Sequence, residues 1–196
     1  MVWEQDCSVI VMLNDPAENN SYHHPKYYPY YPTGEQGYTE YAGKEGFSVR
    51  LVSREDRSCY FHSKLELKFQ DNLPREINHL QFKGWGDYAV PHSATEFLEF
   101  LKEARGMYEK CDGPPVLHCS AGVGRTGTFL LADIVLEIAK SRKSLNMDVQ
   151  ELLECLRQQR MWLVQTPEQL RFSFMVIIEG IKRLDLSSFT DDKISI

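Results

Sequence analysis

The sequence predicts a single-domain protein of the α/β class, of the α+β type. Strand patterns fill the first part of the chain, and helix patterns with capping residues fill the last part. Between them, a glycine-rich turn joins a brief strand to a helix. A chain of 196 residues with 42% apolar content can bury one sizeable core and is too short for two ordinary domains.

Five segments have the short apolar runs or the alternation typical of strands. They are residues 8–13, 47–53, 60–69, 76–82 and 116–117. In the third segment Leu65, Leu67 and Phe69 alternate with charged residues, which predicts a half-buried antiparallel strand. The first segment, SVIVML, is apolar throughout and ends at Asn14-Asp15-Pro16, so we expect a buried strand that stops at a turn.

Residues 19–46 are rich in Tyr, Pro, Gly and His and show no helical period, so we predict an extended surface loop. Its tyrosines have two interpretations. Packing of the aromatic rings onto the core is favoured over a role as phosphorylation sites. His23 and His24 lie near Glu18, but no further ligands follow at a recognised spacing, so we predict no metal site and expect no cofactor.

Helices are expected over residues 93–110, 128–139 and 148–160, and from Thr166 onward. Ser93 and Glu96 form a capping box, whereas Thr166, Pro167 and Gln169 mark the start of the last helix. The second helix is apolar on nearly every side and should be buried. We therefore assign residues 1–184 to one domain and residues 185–196 to a frayed polar tail.

Charge and cysteine content exclude several function classes. The net charge of −6 does not favour binding to nucleic acid or anionic lipid. The five cysteines are scattered, without a C-x-x-C pair, which argues against a disulfide framework. No apolar run is long enough for a membrane helix, and the first residues lack the pattern of a signal peptide. We expect a cytoplasmic monomer.

Residues 118–127, HCSAGVGRTG, predict a binding site for a tetrahedral dianion. The segment lies between a strand and a helix, and its glycines allow successive backbone N–H groups to point toward one bound anion. The residues are Ser120, Ala121, Gly122, Val123 and Gly124. Arg125 adds a planar, charged fork that can bind two phosphate oxygens. The same amides and helix dipole should lower the pKa of the Cys119 thiol below its free value of about 8.5, which makes it a nucleophile.

Other polar residues are candidates for the remaining steps. Asp87 lies in a glycine-containing loop beside Trp85 and can protonate a leaving group when the loop closes. Gln165 and Gln169, four residues apart, can face one site and place a water molecule. Thr126 is expected to donate a hydrogen bond to the sulfur, which would ease breakdown of a phosphocysteine.

The signature at Cys119 resembles the H-C-x-x-G-x-G-R-[ST]-G motif of the tyrosine-specific phosphatases, especially the non-receptor group. Further similar segments follow in the family's order: MVWEQ at residues 1–5, the Trp85–Pro91 loop, QTPEQ at 165–169 and RFSF at 171–174. Lys26 and Tyr30-Tyr31-Pro32 resemble the family's K-C-x-x-Y-W-P segment. The resemblance implies a twisted mixed sheet flanked by helices, and hydrolysis of phosphotyrosine in proteins.

The chain departs from the family pattern in places. Gly86 stands where the family has proline, and Ala89 replaces a usual glycine, so closure of the loop is expected to be less favourable. The portion that precedes MVWEQ in the family, including a loop that clamps the phosphotyrosine ring, has no counterpart here. We therefore expect an N-terminally shortened catalytic domain that lacks part of the sheet.

Each candidate residue has a structural alternative. Cys7, Cys59 and Cys155 are interpreted as packing residues, whereas the full signature favours catalysis for Cys119. His118 is compatible both with the core and with organising the backbone around the thiolate. At the level of function, a phosphotyrosine-binding pseudophosphatase is the alternative to an active enzyme. A dual-specificity phosphatase is disfavoured by the position of the Asp87 loop and by the Gln165 segment.

Overall fold

The computed structural model describes residues 1–20, 27–34, 40–42 and 46–184. They form two compact units, one made of Met1–Trp85 and Lys102–Ser120, the other of the described residues in Gly86–Leu101 and Ala121–Ile196. The described residues contain a six-stranded sheet and four α-helices, so the predicted α/β class is confirmed. Outside the described residues lie Tyr22, His23, His24, Lys26, Tyr38 and the tail 185–196.

The first unit contains the whole sheet. Its strands are β1 (Val9–Met12), β2 (Glu40–Ala42), β3 (Phe47–Asp56), β4 (Tyr60–Phe69), β5 (Arg75–Phe82) and β6 (Val116–His118). Their order in the sheet is β2-β3-β4-β5-β1-β6. The first four in this order pair antiparallel, whereas β1 runs parallel to both β5 and β6. The sheet is therefore mixed.

Strand β1 is buried at every residue, as its unbroken apolar sequence predicts. A strand with parallel neighbours on both sides is covered on both faces, so it has no polar face to alternate. Met12 pairs with His118, and the Leu13 amide donates to the His118 carbonyl at 2.9 Å. The carboxyl ends of β1 and β6 thus lie side by side, which places Asn14 and Cys119 at the same edge of the sheet.

The expected loop over residues 19–46 is wrong in part. A 3-10 helix covers Pro16–Asn20, and strand β2 forms within the segment, where three residues pair with β3. Propensity did not indicate this strand, because the pairing with β3 decides it. The packing of tyrosines onto the core is confirmed for Tyr31, which is 3% exposed and belongs to a cluster with Ile10, Met12, Leu65 and Ile77.

The four helices follow the predicted order. They are α1 (Ala94–Tyr108), α2 (Gly124–Arg142), α3 (Val149–Gln159) and α4 (Pro167–Ile181). Helix α2 begins four residues before the expected residue 128, at Gly124, so Arg125 lies in its first turn. The predicted caps form: Ser93 Oγ accepts from the Glu96 amide, and Thr166 Oγ1 accepts from the Gln169 amide. No helix in the described ranges has the length and apolar character needed to cross a membrane.

Aromatic residues form the core of the second unit. Phe97 packs edge-on against Phe129 and Phe172, with ring centroids 5.9 and 5.4 Å apart. All three rings are nearly inaccessible to solvent. The burial of α2 predicted from its apolar sequence is confirmed, since eleven of its nineteen residues are buried. This packing holds the first turn of α2 on a rigid support.

A buried histidine, His79, lies in β5 of the first unit. It is fully inaccessible, and burial lowers its pKa from 6.5 to about 3, with smaller electrostatic contributions from the neighbouring His118, Arg54 and His62. The unfolded chain takes up a proton near pH 6.5, whereas the folded chain does not until about pH 3. The contribution of His79 to stability is therefore complete above about pH 6.5 and is lost as the pH falls toward 3.

We expect the wild type to lose about 2 kcal/mol more of its free energy of unfolding between pH 7 and pH 5 than the variant His79→Gln, because glutamine does not titrate. Urea unfolding at a series of pH values measures this difference in slope. His92→Gln, at an exposed position, serves as the control and should keep the wild-type slope. Equal slopes for wild type and His79→Gln would show that His79 takes up its proton in the folded state.

Candidate active site

Cys119 directly follows β6 in the first unit. Its residue is 8% exposed, and the next residue, Ser120, is exposed. The position results from the sequence Val116-Leu117-His118, which ends its pairing with β1 at His118. The thiol therefore stands at the end of a strand whose backbone is fixed by hydrogen bonds. Burial at this level is compatible with a reactive side chain that opens toward a small ligand.

His118 contacts the backbone of Cys119, as one of its two interpretations predicts. Its Nδ1 lies 3.1 Å from the Cys119 carbonyl oxygen, and its Nε2 lies 2.7 Å from the Tyr30 hydroxyl. Burial lowers the pKa of His118, and the hydrogen bond to the Cys119 backbone opposes this shift. The ring is therefore neutral at physiological pH and acts through hydrogen bonds rather than through charge.

Asn14 contacts Ser120, the residue after Cys119, and the sequence did not indicate this contact. Its side-chain amide donates to Ser120 Oγ at 2.8 Å and to Glu18 Oε2 at 3.0 Å. Asn14 is fully buried, and its backbone carbonyl accepts from the Gln81 side chain. The pairing of β1 with β6 brings Asn14 to Ser120. In the sequence, the only indication of this contact was that Asn14 follows the first predicted strand.

In the second unit, the turn before α2 has the backbone conformation that the glycines predict at one of two positions. Gly122 has a φ of +69°, which a residue with a side chain rarely adopts. Gly124 does not have a positive φ and is needed for space instead. A Cβ atom there would lie 2.5 Å from Gln165 Oε1 and 3.1 Å from Gln169 Nε2. The interpretation of Gly124 as a conformational glycine is therefore replaced by close approach.

Those distances also show that both glutamines reach the N-terminal residue of α2. Gln169 is 1% exposed, and its Oε1 accepts from the Gln165 amide at 3.0 Å, whereas Gln165 is exposed. The expected convergence of the two side chains is thus present. Helix α4 places Gln169 in its first turn, and the side chain of Gln169 in turn fixes the backbone from which Gln165 extends.

Arg125 and Asp87 lie together in the second unit. Arg125 is 2% exposed, and its Nη2 is 3.5 Å from Asp87 Oδ1. The Asp87 side chain is 29% exposed and lies in an irregular loop, as predicted. A buried guanidinium at the N-terminus of a helix is strongly positive, because the helix dipole adds to its charge. This place can bind an anion and keep a carboxyl group within reach of it.

The remaining candidates are placed as follows. Trp85 is fully buried in the first unit, where its ring meets the edge of Phe82 at 6.0 Å between centroids. Thr126 is buried in the first turn of α2. Gly86 has open space around it, and Tyr88 after it has a φ of +59°. The loop around Asp87 thus contains one residue in the left-handed region, within a turn closed by a hydrogen bond from the Ala89 amide to the Gly86 carbonyl at 3.2 Å.

Arg160, at the end of α3, is a second residue that the sequence did not indicate. Its Nε donates to the Gly122 carbonyl at 2.8 Å, and its Nη2 donates to the Ala121 carbonyl at 3.0 Å. Two successive carbonyl groups of the turn are thus occupied on one side. Because the carbonyl and amide of a peptide plane point in opposite directions, this arrangement favours amide groups that are free to bind an anion on the other side.

Replacement of Arg160 by methionine is expected to weaken the binding of inorganic phosphate on the order of tenfold, because two charge-assisted hydrogen bonds that order the turn are lost. Isothermal titration calorimetry measures this change. Gln158→Met, on the exposed surface of the same helix, is the control and should match the wild type. An unchanged Kd in Arg160→Met would show that the turn is ordered without this side chain.

Comparisons with known proteins identify the family to which the chain is similar. The model of the protein-tyrosine phosphatase family matches residues 1–179. The non-receptor type 2 tyrosine-protein phosphatase of Rattus norvegicus is 42% identical over 186 residues, which are 93% of this chain and 43% of that protein. The non-receptor type 61F phosphatase of Drosophila melanogaster is 35% identical over 194 residues, 97% of this chain and 35% of that protein.

A receptor-type relative is similar as well. The receptor-type tyrosine-protein phosphatase epsilon of Rattus norvegicus is 35% identical over 195 residues, 96% of this chain and 27% of that protein. The chain thus spans less than half the length of these curated relatives. The family match nevertheless covers nearly all of the described residues and includes both units. With this match, the resemblance carried by the Cys119 signature is confirmed, and the chain belongs to the protein-tyrosine phosphatase family.

Proposed function

We propose that this chain is a protein tyrosine phosphatase that hydrolyses phosphotyrosine in proteins through a phosphocysteine intermediate. The observation that supports this most directly is the placement of Arg125 in the first turn of α2, buried and 3.5 Å from Asp87. Only five residues separate Arg125 from Cys119, and they carry the amides of the proposed phosphate cradle. This combination fits an anionic substrate that is attacked by a thiolate.

In the first step, the Cys119 thiolate attacks phosphorus and the bond to the tyrosine oxygen breaks. The leaving phenolate takes a proton from the carboxyl group of Asp87, so Asp87 ends the step as a carboxylate. Arg125 and the amides of residues 120–124 stabilise the charge on the phosphoryl oxygens. In the structure Asp87 forms an ion pair with Arg125. We propose that the substrate phosphate takes over this arginine and releases Asp87 to act as an acid.

In the second step, water attacks the phosphocysteine and the P–S bond breaks. The Asp87 carboxylate accepts the proton of this water, and inorganic phosphate leaves. The approach of both glutamine side chains to Gly124 supports their role in placing the water, with Gln165 as the exposed contact and Gln169 as its support. Thr126, one residue after Arg125, is assigned the hydrogen bond that stabilises the departing thiolate.

The proposed setting is cytoplasmic signalling, in which the chain acts as a monomer on tyrosine-phosphorylated proteins. The names of two relatives, non-receptor type 2 and type 61F, support this setting. The net charge of −6 agrees with a local rather than a general attraction for anions. Trp85, buried next to the Asp87 loop in sequence, and Lys26 are proposed as supporting residues of the substrate site.

A pseudophosphatase is the second candidate, and Gly86 is the observation that favours it. Glycine leaves the loop backbone free where proline would restrict it, so the unclosed loop has more conformations to lose when it closes. If closure were too unfavourable, phosphotyrosine would bind to Arg125 and the turn without the proton transfer from Asp87. Binding would then remain while turnover would not.

One experiment separates the two candidates. Purified protein of this length is mixed with a phosphotyrosine peptide and with a phosphoserine peptide of the same sequence, and phosphate release is followed. We expect turnover of the first only, and rapid quenching should trap phosphate on Cys119. Calorimetry that shows tight binding of the phosphotyrosine peptide without release of phosphate would identify the pseudophosphatase instead. Efficient cleavage of the phosphoserine peptide would contradict tyrosine specificity.

A further inference from the structure

Three side chains in the first unit form a continuous chain of hydrogen bonds that ends at the nucleophile. The Tyr30 hydroxyl lies 2.7 Å from His79 Nε2 and 2.7 Å from His118 Nε2. His118 Nδ1 lies 3.1 Å from the Cys119 carbonyl oxygen. The Tyr30 hydroxyl has a single hydrogen, so it can donate to only one of the two histidines. Met12 Sδ, 3.8 Å away, is a weaker acceptor than an imidazole nitrogen at 2.7 Å, so Tyr30 donates to one histidine and accepts from the other.

The direction of the chain follows from its two ends. A carbonyl oxygen can only accept, so His118 carries its hydrogen on Nδ1. The neutral ring then has a lone pair on Nε2, to which the Tyr30 hydroxyl donates. Tyr30 consequently accepts from His79, which must carry its hydrogen on Nε2. The chain therefore runs from His79 through Tyr30 and His118 to the backbone of Cys119.

The surroundings of His79 enforce the same direction. In this tautomer Nδ1 of His79 carries a lone pair, and this atom is buried without a hydrogen-bond partner among the described residues. In the opposite tautomer an N–H group there would have only a poorly aligned contact with the backbone of His79 itself, and a buried donor without a good acceptor is tolerated less well than an unpaired acceptor. The ring is also held in place, because it packs against Tyr31 at 4.0 Å between centroids, with the planes tilted by 36°, and meets Tyr30 edge-on at 5.7 Å.

We infer that His79 is a positioning residue for Cys119, because it fixes the direction of the hydrogen bonds through Tyr30 and His118 and thereby keeps a donor on the Cys119 carbonyl. The carbonyl of Cys119 and the amide of Ser120 belong to one rigid peptide plane. A donor that holds this carbonyl also sets the direction of the Ser120 amide. The Ser120 amide is the first of those assigned to the phosphate. His79 therefore influences the phosphate site through the orientation of the Cys119–Ser120 peptide plane.

Reversal of the chain would have the opposite effect. If His118 carried its hydrogen on Nε2, the lone pair of its Nδ1 would face the carbonyl oxygen at 3.1 Å and repel it. The peptide plane would then rotate, and the Ser120 amide would lose its direction. Loss of an aligned amide raises the pKa of the Cys119 thiol, because amide donors favour its ionised form. His79 lies two residues from Gln81, which reaches Asn14, so both contacts originate on the same face of β5.

The tautomer of His118 is measurable by long-range proton–nitrogen NMR on labelled protein, with the His118 signals assigned by their loss in His118→Asn. We expect the Nδ1–H form in the wild type and in His79→Gln, whose side-chain amide supplies a donor in place of Nε2. In His79→Phe, which has a ring but no donor, the Nε2–H form should become populated. Tyr30→Phe interrupts the chain at its second link and should give the same mixture.

The pH dependence of Cys119 alkylation by iodoacetamide provides the second readout. We expect the midpoint of this profile to rise by about one pH unit in His79→Phe, which lowers the rate by up to about tenfold at pH values below both midpoints. His79→Gln should stay near the wild-type rate. A loss of packing alone would not produce this difference between the two variants together with a change of tautomer.

The inference rests on the proposed function only in taking Cys119 as the nucleophile, and the NMR readout does not require turnover. An Nε2–H form of His118 in the wild type would overturn it even if the enzyme is active. Equal tautomer ratios in the wild type and in Tyr30→Phe would also overturn the inference. This second variant provides the test if His79→Phe does not fold. An inactive wild type with the Nδ1–H form would contradict the proposed function and leave the positioning role intact.

Discussion

Replacement of Cys119 by serine is expected to reduce hydrolysis of para-nitrophenyl phosphate by on the order of 10⁵-fold or more. A serine hydroxyl does not ionise near neutral pH, so the proposed mechanism loses its nucleophile. The oxygen is smaller than sulfur, and the turn from Ala121 to Gly124 is unchanged. The variant should therefore still bind a phosphotyrosine peptide in calorimetry, although it no longer hydrolyses it.

Cys155→Ser is the matched control, because Cys155 is an exposed free cysteine on α3. It should retain the wild-type rate. Circular dichroism and the urea midpoint establish that both variants are folded. Equal rates for the wild type and Cys119→Ser would refute covalent catalysis at this position, whatever the cause of the observed hydrolysis.

Replacement of Arg125 by lysine is expected to lower kcat/KM on the order of 10³-fold. The positive charge is kept, so any loss reports on geometry: a planar fork binds two phosphate oxygens, whereas an ammonium group binds as a point charge. Removal of a single oriented donor to a transition state reduces turnover by roughly 10²–10³-fold, and here two are affected. Arg125 is also 2% exposed and 3.5 Å from Asp87, so lysine would leave the carboxylate poorly paired.

The control for this prediction lies on the same helix. Arg142 is exposed in the last turn of α2, and Arg142→Lys should leave the kinetics unchanged. Steady-state rates with a phosphotyrosine peptide at fixed ionic strength measure both variants. Loss of less than about tenfold in Arg125→Lys would show that the charge alone, and not the fork, is what the reaction needs.

Elements with strong local patterns were predictable from the sequence. Strand β4 occurs at the expected residues, Tyr60–Phe69, because alternating apolar and polar residues are typical of a half-buried strand. Ser63 and Leu65 are buried, and most of the other residues are partly buried. The caps at Ser93 and Thr166 were also predictable, since they involve residues three positions apart. Strand β2 was not, because three residues in a tyrosine-rich segment become a strand only through their partner β3.

The candidate site divides in the same way. Its signature residues could be assigned from the sequence because they are consecutive, and this assignment stays a prediction. The structure shows Asp87 3.5 Å from Arg125. Arg160 and Asn14 were not, since each reaches the turn or the Cys119 loop through contacts between residues distant in sequence. The role of Gly124 was misjudged for the same reason. Its need for space depends on two side chains from α4 and the residues before it.

The hydrogen bonds of Arg160 couple helix α3 to the turn before α2. Such coupling is reciprocal. If the ordered end of α3 favours anion binding at the turn by a certain free energy, the bound anion stabilises the ordered helix end by the same amount. Phosphate or vanadate should thus slow the exchange of amide hydrogens at the last residues of α3, although no atom of that helix's backbone needs to touch the ligand. Conversely, fraying of the end of α3 on heating should lower the affinity for phosphate. The affinity should therefore fall with temperature before the protein as a whole unfolds.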